Sequence, residues 1–103
     1  MIKELSGRDF DLFIKKGNVI VDFHAEWCGP CKIMEPQIKK AAEKLKEIKF
    51  GKVDVDDEND LAMRFEVRSI PTTIFFKDGE IVDQHTGAMT ADMIERTAKE
   101  AFG

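Results

Sequence analysis

Strand and helix patterns alternate along this chain, and the alternation limits the folds that the chain can adopt. Residues 19–23 are rich in β-branched side chains and apolar at every position except Asp22, which is typical of a central strand covered on both faces. Asp78-Gly79 separates two strand patterns and predicts a two-residue hairpin. The predicted order is β-α-β-α-β-α-β-β-α. We therefore expect an α/β fold with a mixed central sheet of about five strands between helix layers.

Local patterns place the individual elements. Predicted strands cover residues 2–5, 19–23, 50–55, 73–77 and 80–84. Ser6 and Asp9 predict the start of the first helix. A second helix follows the cysteines and contains Pro36, which predicts a kink. A short third helix is predicted at residues 61–65, and Thr90 caps the last one. Four helices are thus expected to flank the sheet.

The length and composition fit one folded domain. Of the 103 residues, 43% are hydrophobic and 35% are charged, which is typical of a globular protein rather than of a disordered segment. A chain of this length buries a core without a metal or a disulfide framework, so we expect a single domain over residues 1–103. The net charge of −4 and the pI of about 5.2 argue against nucleic acid or a membrane surface as the main partner.

The apolar segments of the chain are short. Met1-Ile2-Lys3-Glu4-Leu5 lacks the continuous apolar core of a secretory signal, and runs such as Val19-Ile20-Val21 are too short to span a bilayer. We therefore expect a cytoplasmic protein. In a reducing compartment, a single Cys-x-x-Cys motif indicates redox or metal chemistry rather than a permanent crosslink.

The two cysteines lie in Trp27-Cys28-Gly29-Pro30-Cys31-Lys32. A disulfide between them closes a very small loop and stabilises the fold by only about 2 kcal/mol, which favours a role in thiol exchange. Unpaired N–H groups and the dipole at a helix start favour a thiolate, which predicts Cys28 as the nucleophile. Pro30 has a φ angle suited to a first helical turn. Cys31 lies one turn deeper, and we expect it to be less accessible and to resolve a mixed disulfide.

Two other interpretations of the cysteine pair are an inert buried dithiol and half of a zinc site. Structural zinc sites have four ligands. The remaining candidates, His24 and His85, have no recognisable ligand spacing with the cysteines. We therefore expect redox chemistry and no metal site.

Five segments of the chain resemble the thioredoxin family. They are Val21-Asp22-Phe23, the run from Ala25 to Lys32, Ile70-Pro71-Thr72, the run from Phe76 to Glu80, and Gly87-Ala88. The resemblance implies a single thioredoxin domain with the thioredoxin fold. It also implies that the protein reduces protein disulfides through a reversible Cys28–Cys31 disulfide. It also implies a flavin-containing thioredoxin reductase as electron donor and disulfide-bearing proteins as acceptors. We expect no bound cofactor and a monomer.

Asp22 interrupts an otherwise apolar strand. Loss of hydration raises the pKa of a buried carboxyl, which suits this residue to exchange a proton with the Cys31 thiol, and the resemblance implies the same role. The alternative is an aspartate that faces solvent or caps the following turn. The resemblance places Lys52 near this carboxyl, although its amine can instead reach water. Lys32 either favours the thiolate or is an ordinary surface lysine.

The resemblance also predicts a substrate surface around the first cysteine. It implies a cis peptide bond at Pro71 and a backbone at Ile70 that pairs with an extended substrate strand. Trp27, Gly87 and Ala88 complete a flat apolar patch suited to flexible segments of disulfide-bearing proteins. Without the resemblance, Ile70-Pro71 indicates a turn before a strand, with a trans bond.

His24 departs from the family pattern, because thioredoxins usually carry a large aromatic residue at this position. We interpret it as a substitute that packs or forms hydrogen bonds. Histidine side chains also change charge between about pH 5 and 8, which would make the local redox properties sensitive to pH.

Three other functions of such a chain stay open at this point. An oxidase or isomerase of the same fold would differ mainly in reduction potential, although Gly29-Pro30 resembles the reductant branch. A glutathione-dependent reductase would need a glutathione site. A redox-responsive binding subunit would keep its function without either thiol.

Overall fold

A computed structural model describes residues 2–103. The five strands are β1 (Ile2–Glu4), β2 (Asn18–His24), β3 (Lys49–Asp54), β4 (Thr72–Lys77) and β5 (Glu80–Thr86). The four helices are α1 (Phe10–Ile14), α2 (Gly29–Lys44), α3 (Asn59–Arg64) and α4 (Ala91–Phe102). The element order confirms the predicted alternation.

The strands form one mixed sheet in the order β1-β3-β2-β4-β5. β3 pairs in parallel with both β1 and β2, whereas β4 runs antiparallel to β2 and β5. Asp78 and Gly79 take positive φ angles of 51° and 88°, which is the backbone geometry of the predicted hairpin between β4 and β5. The carboxyl end of β2 therefore lies at the centre of the sheet, where it leads into α2.

Apolar side chains cover both faces of β2, as its sequence predicts. Val19, Val21 and Phe23 belong to the core that contains residues of α1 and α3. Ile20 belongs to the opposite core, which contains residues of α2 and α4. Asp22 and His24 share the face of Ile20, because alternate residues of a strand point to the same side. Two polar side chains thus follow an apolar one beneath α2.

Element ends differ from the predictions by one or two residues. The third strand is Lys49–Asp54 rather than 50–55, and the third helix is Asn59–Arg64 rather than 61–65. The apolar pattern marks buried positions, whereas backbone hydrogen bonds extend into flanking polar residues. α2 continues through Pro36, and the kink predicted there stays a prediction. Among the described residues, no helix has the length and apolar character needed to cross a bilayer.

Candidate functional site

The two cysteines form a disulfide at the N-terminus of α2. Cys28 is the N-cap residue, with an extended backbone at φ −87° and ψ 112°. The N–H of Cys31 donates to Cys28 Sγ at 3.2 Å, so the sulfur takes the place of the oxygen that usually caps a helix. Pro30 lies in the first turn, where its missing N–H leaves no donor unpaired. The local sequence therefore builds a helix start that favours negative charge on Cys28.

Burial does not distinguish the two cysteines. Cys28 is 4% exposed and Cys31 is 6% exposed, so the prediction that Cys31 is the less accessible residue is wrong for the disulfide form. The segment before Pro71 lies over Cys28. Cys28 Sγ is 3.8 Å from the Ile70 carbonyl oxygen. The difference between the cysteines lies in their position on α2, since only Cys28 accepts a helix N–H.

The structure brings several residues of the predicted substrate surface together. The Ile70–Pro71 peptide bond is cis, as the resemblance implied. The N–H of Gly87 donates to the Pro71 carbonyl at 2.8 Å, which fixes the loop before α4 beside the half-buried Ile70. Trp27 is 70% exposed, and Ala88 is also exposed. An apolar surface thus lies next to the disulfide.

The indole of Trp27 is held by a contact that sequence analysis missed. Its Nε1–H donates to Asp56 Oδ2 at 2.8 Å. Asp54 orders this loop, because its Oδ1 accepts the backbone N–H of Asp56 at 2.9 Å and of Asp57 at 3.4 Å. Asp56 lies in an acidic run over residues 54–60. No signal in the sequence links it to an indole 29 residues away.

Asp22 is the buried carboxyl of the site, at 7% exposure. Burial raises its pKa to about 7, and the nearby Glu35 carboxylate adds to this effect, while the Lys52 ammonium opposes it. Lys52 lies directly across from Asp22 in the β2–β3 register. The alternative in which Asp22 faces solvent or caps a turn is therefore wrong.

A cavity of about 700 Å³ connects this carboxyl with the second cysteine. Its lining includes Cys31, Asp22, Lys52 and His24, and the exposed Lys32 lies at its rim. Asp22 Oδ1 and His24 Nε2 are buried and have no hydrogen-bond partner within residues 2–103. The structure therefore opens a polar space behind the disulfide, on the side away from Ile70.

Two other residues beside Asp22 were missed. Glu35 lies four residues after Cys31 on α2, and this helical spacing is a signal that could have placed it on the cavity side. Thr73 lies opposite Asp22 in the β2–β4 register, and its buried Oγ1 has no hydrogen-bond partner in the described part of the chain. Strand pairing is needed to find Thr73. Gly29 is exposed in the first turn of α2.

Residues 2–103 contain no cluster of three or more histidine, cysteine, aspartate or glutamate side chains placed to hold a metal ion. Because the two sulfurs are bonded to each other, the arrangement fits electron exchange. Fold and site together define the class of α/β proteins with a redox-active Cys-x-x-Cys disulfide at a helix start.

Comparisons with known proteins identify the family within this class. The thioredoxin family model matches residues 1–100. The chain is 43% identical to bovine (Bos taurus) mitochondrial thioredoxin over 86 residues, which are 82% of this chain and 52% of that protein. It is 45% identical to Chlamydia pneumoniae thioredoxin over 87 residues, covering 84% of this chain and 85% of the relative. The structure of Fasciola hepatica thioredoxin superposes with a TM-score of 0.89 at 34% identity, covering 96% and 98% of the two chains.

The chain belongs to the thioredoxin family, and its mixed five-stranded sheet with four helices is the thioredoxin fold. The resemblance that the sequence motifs indicated is confirmed. The chain spans about half the length of the mitochondrial relatives that it matches, and most of the length of the bacterial ones.

Proposed function

We propose that this chain reduces disulfide bonds in other proteins, with Cys28 as the attacking thiolate. The observation that carries the proposal is the Cys28 sulfur at the N-cap of α2, where it accepts the Cys31 N–H at 3.2 Å. The same N–H groups and helix dipole stabilise the thiolate once the disulfide is reduced. Cys28 attacks one sulfur of the target disulfide, forms a mixed disulfide, and releases the other sulfur as a thiolate.

Cys31 completes the reaction. Its thiol loses a proton to the Asp22 carboxylate, and the resulting thiolate attacks Cys28 Sγ. The Cys28–Cys31 bond forms, and the second substrate sulfur leaves as a thiolate, so two electrons pass from the dithiol to the target. The Cα atoms of the cysteines are 5.3 Å apart in the disulfide, a normal span that supports closure with little backbone movement.

The surface beside Cys28 supports a protein substrate. An extended segment that lies against the Ile70 backbone would place its disulfide at the sulfur, because the Ile70 carbonyl is 3.8 Å away. Trp27 offers an exposed ring that Asp56 fixes in place. Ala88 is exposed near the other side, after Gly87. These residues contact apolar side chains of flexible targets.

The remaining parts of the proposal concern the partners and the compartment. We propose a flavin-containing thioredoxin reductase as electron donor, disulfide-bearing enzymes as acceptors, and a monomer that needs no bound cofactor. We also propose the cytoplasm, because a reducing compartment keeps this pair available as a dithiol.

Insulin reduction tests the function directly. With dithiothreitol as electron donor, the protein should accelerate the precipitation of reduced insulin chains well above the rate of dithiothreitol alone. A second assay replaces dithiothreitol with NADPH and a thioredoxin reductase. Activity in neither assay would contradict the proposal, and activity in the first alone would reject the proposed donor.

Replacing Cys31 with serine should trap the reaction halfway. Cys31→Ser retains the attacking sulfur, so a mixed disulfide forms, but the group that releases the substrate is missing. Mass spectrometry under non-reducing conditions should detect a covalent adduct of one target per chain, which dithiothreitol removes. Rapid release of the target by Cys31→Ser would mean that another group performs the second step.

Replacing Asp22 with asparagine should slow the second step above neutral pH. The carboxyl has a pKa of about 7, so above this pH it is ionised and accepts the Cys31 proton. We expect the second step to be about tenfold slower in the variant than in the wild type at each pH between 7 and about 8.5. The difference between the two rates shrinks at higher pH, where the Cys31 thiol ionises without a base. Stopped-flow fluorescence of Trp27, the only tryptophan, measures the rate because this residue adjoins Cys28.

Asp83→Asn is the matched control for this measurement, because Asp83 is exposed on β5. It changes the net charge equally and should keep the wild-type rate. Equal rates for Asp22→Asn and the wild type across this pH range would remove Asp22 from the mechanism.

A further inference from the structure

His24 and Asp22 point into the same cavity. They are two residues apart on β2, so their side chains share the sheet face beneath α2. Both line the cavity of about 700 Å³ that also contains Cys31. Ile20, the preceding residue on this face, packs into the core beneath α2 and α4. His24 therefore places a titratable ring next to the carboxyl that takes the Cys31 proton in the proposed function.

The atoms that face this space need polar partners. Asp22 Oδ1 and His24 Nε2 are each buried, and neither has a hydrogen-bond partner in residues 2–103. A buried polar atom without a partner is destabilising, because it loses its hydrogen bonds to water. A water molecule takes about 30 Å³, so this cavity has room for water that joins the two atoms. The pair is thus suited to exchange a proton through water.

His24 also has access to the exterior. The residue is half-buried although its Nε2 is buried, so the ring lies between the cavity and solvent. Asp22 is more enclosed, since it is only 7% exposed. A proton that reaches Asp22 needs a route outward before the next turnover, and His24 is the titratable residue that follows it on the same strand face.

The charges around His24 favour a proton in this space. α2 contributes Lys32, Glu35, Lys39 and Glu43 to the cavity wall. The strands and the turn after β2 contribute Glu4, Lys52, Asp54 and Glu26, besides Asp22. Carboxylates outnumber lysines, so the cavity attracts protons and small cations more strongly than anions.

We propose that His24, acting as a positioning residue, relays protons between Asp22 and solvent. Through water it takes from Asp22 the proton that Cys31 released, and it passes a proton on to solvent. This inference rests on the proposed function and adds a step to it. Cys31 gives its proton to the Asp22 carboxylate as its sulfur attacks Cys28 and the substrate thiolate leaves. The carboxyl then passes that proton through water to a ring nitrogen of His24, and the ring releases a proton to bulk water, so both groups return to their starting states.

Removal of the imidazole tests the route. In multiple-turnover reduction of a peptide disulfide with dithiothreitol as electron donor, at pH 7 and low buffer concentration, His24→Ala should be about tenfold slower than the wild type. Added imidazole should restore the rate to within about twofold, since the small neutral base enters the cavity, takes the proton from Asp22 and carries it to solvent. His85→Ala is the matched control, because His85 is half-buried on β5 and does not line the cavity. It should match the wild type with or without imidazole.

His24→Gln separates proton transfer from hydrogen bonding. Glutamine fills much of the same space and forms hydrogen bonds, but it does not take up a proton. We expect it to be as slow as His24→Ala. A wild-type rate in His24→Gln, or a decrease that is equal at every pH and unaffected by imidazole, would overturn the proposal. An inactive wild-type protein would instead refute the proposed function.

Discussion

Cys28→Ser should abolish the reduction of protein disulfides. A serine hydroxyl is not ionised at neutral pH and forms no bond to sulfur that a second thiol can resolve. The helix N-terminus that stabilises a thiolate at this position gives no comparable help to a hydroxyl. We expect the rate of insulin reduction to fall to that of dithiothreitol alone, with no measurable contribution from the protein.

Cys31→Ser is the control that separates lost chemistry from lost stability. Both variants lack the Cys28–Cys31 disulfide, which is worth about 2 kcal/mol for so short a loop, so they should unfold at similar urea concentrations. Only Cys31→Ser should form the covalent adduct with a target. If Cys28→Ser retained turnover, or formed the adduct instead, the nucleophile would be assigned to the wrong cysteine.

Local patterns were sufficient to predict the parts of the fold that depend on neighbouring residues. Asp78-Gly79 determines its own turn, since both residues take the positive φ angles that a tight hairpin requires. Thr90 caps α4 through the N–H of Met93, at 3.1 Å. Asp22 is the single polar residue in the predicted strand of residues 19–23, and its burial could be predicted because apolar elements cover both faces of such a strand.

Contacts between distant segments could not be predicted in this way. The indole of Trp27 bonds to Asp56, and Thr73 lies opposite Asp22, only because the sheet brings β2, β3 and β4 together. The expected difference in exposure between Cys28 and Cys31 failed for the same reason, since Ile70 comes from a segment 42 residues away. Helical spacing tells which face a side chain lies on, but it does not tell what covers that face.

The buried carboxyl should also make the fold less stable as the pH rises. Asp22 has a pKa of about 7 in the folded protein, against an ordinary value of 3.8, chiefly because burial disfavours its ionised form. Below about pH 4 the carboxyl is protonated in both states, and it has no effect on the pH dependence. Between about pH 4 and 7 the unfolded chain releases this proton while the folded chain keeps it. The free energy of unfolding therefore falls over this range, and the loss is complete above about pH 7.

Asp22→Asn should remove this loss, because the amide has the size of the carboxyl but does not ionise. A difference of about three pKa units, at about 1.4 kcal/mol each, corresponds to about 4 kcal/mol. We expect urea unfolding to give equal stabilities for variant and wild type near pH 4, and a variant that is more stable by up to about 4 kcal/mol at pH 8 and above.

Asp83→Asn, with the same change in net charge at an exposed position on β5, should stay within about 0.5 kcal/mol of the wild type at both pH values. The difference in stability between Asp22→Asn and the wild type could instead be the same at pH 8 as at pH 4. That result would mean that the Asp22 carboxyl has an ordinary pKa. It would then already be ionised well below neutral pH, and the burial that suits it to take the Cys31 proton would have no effect on its titration.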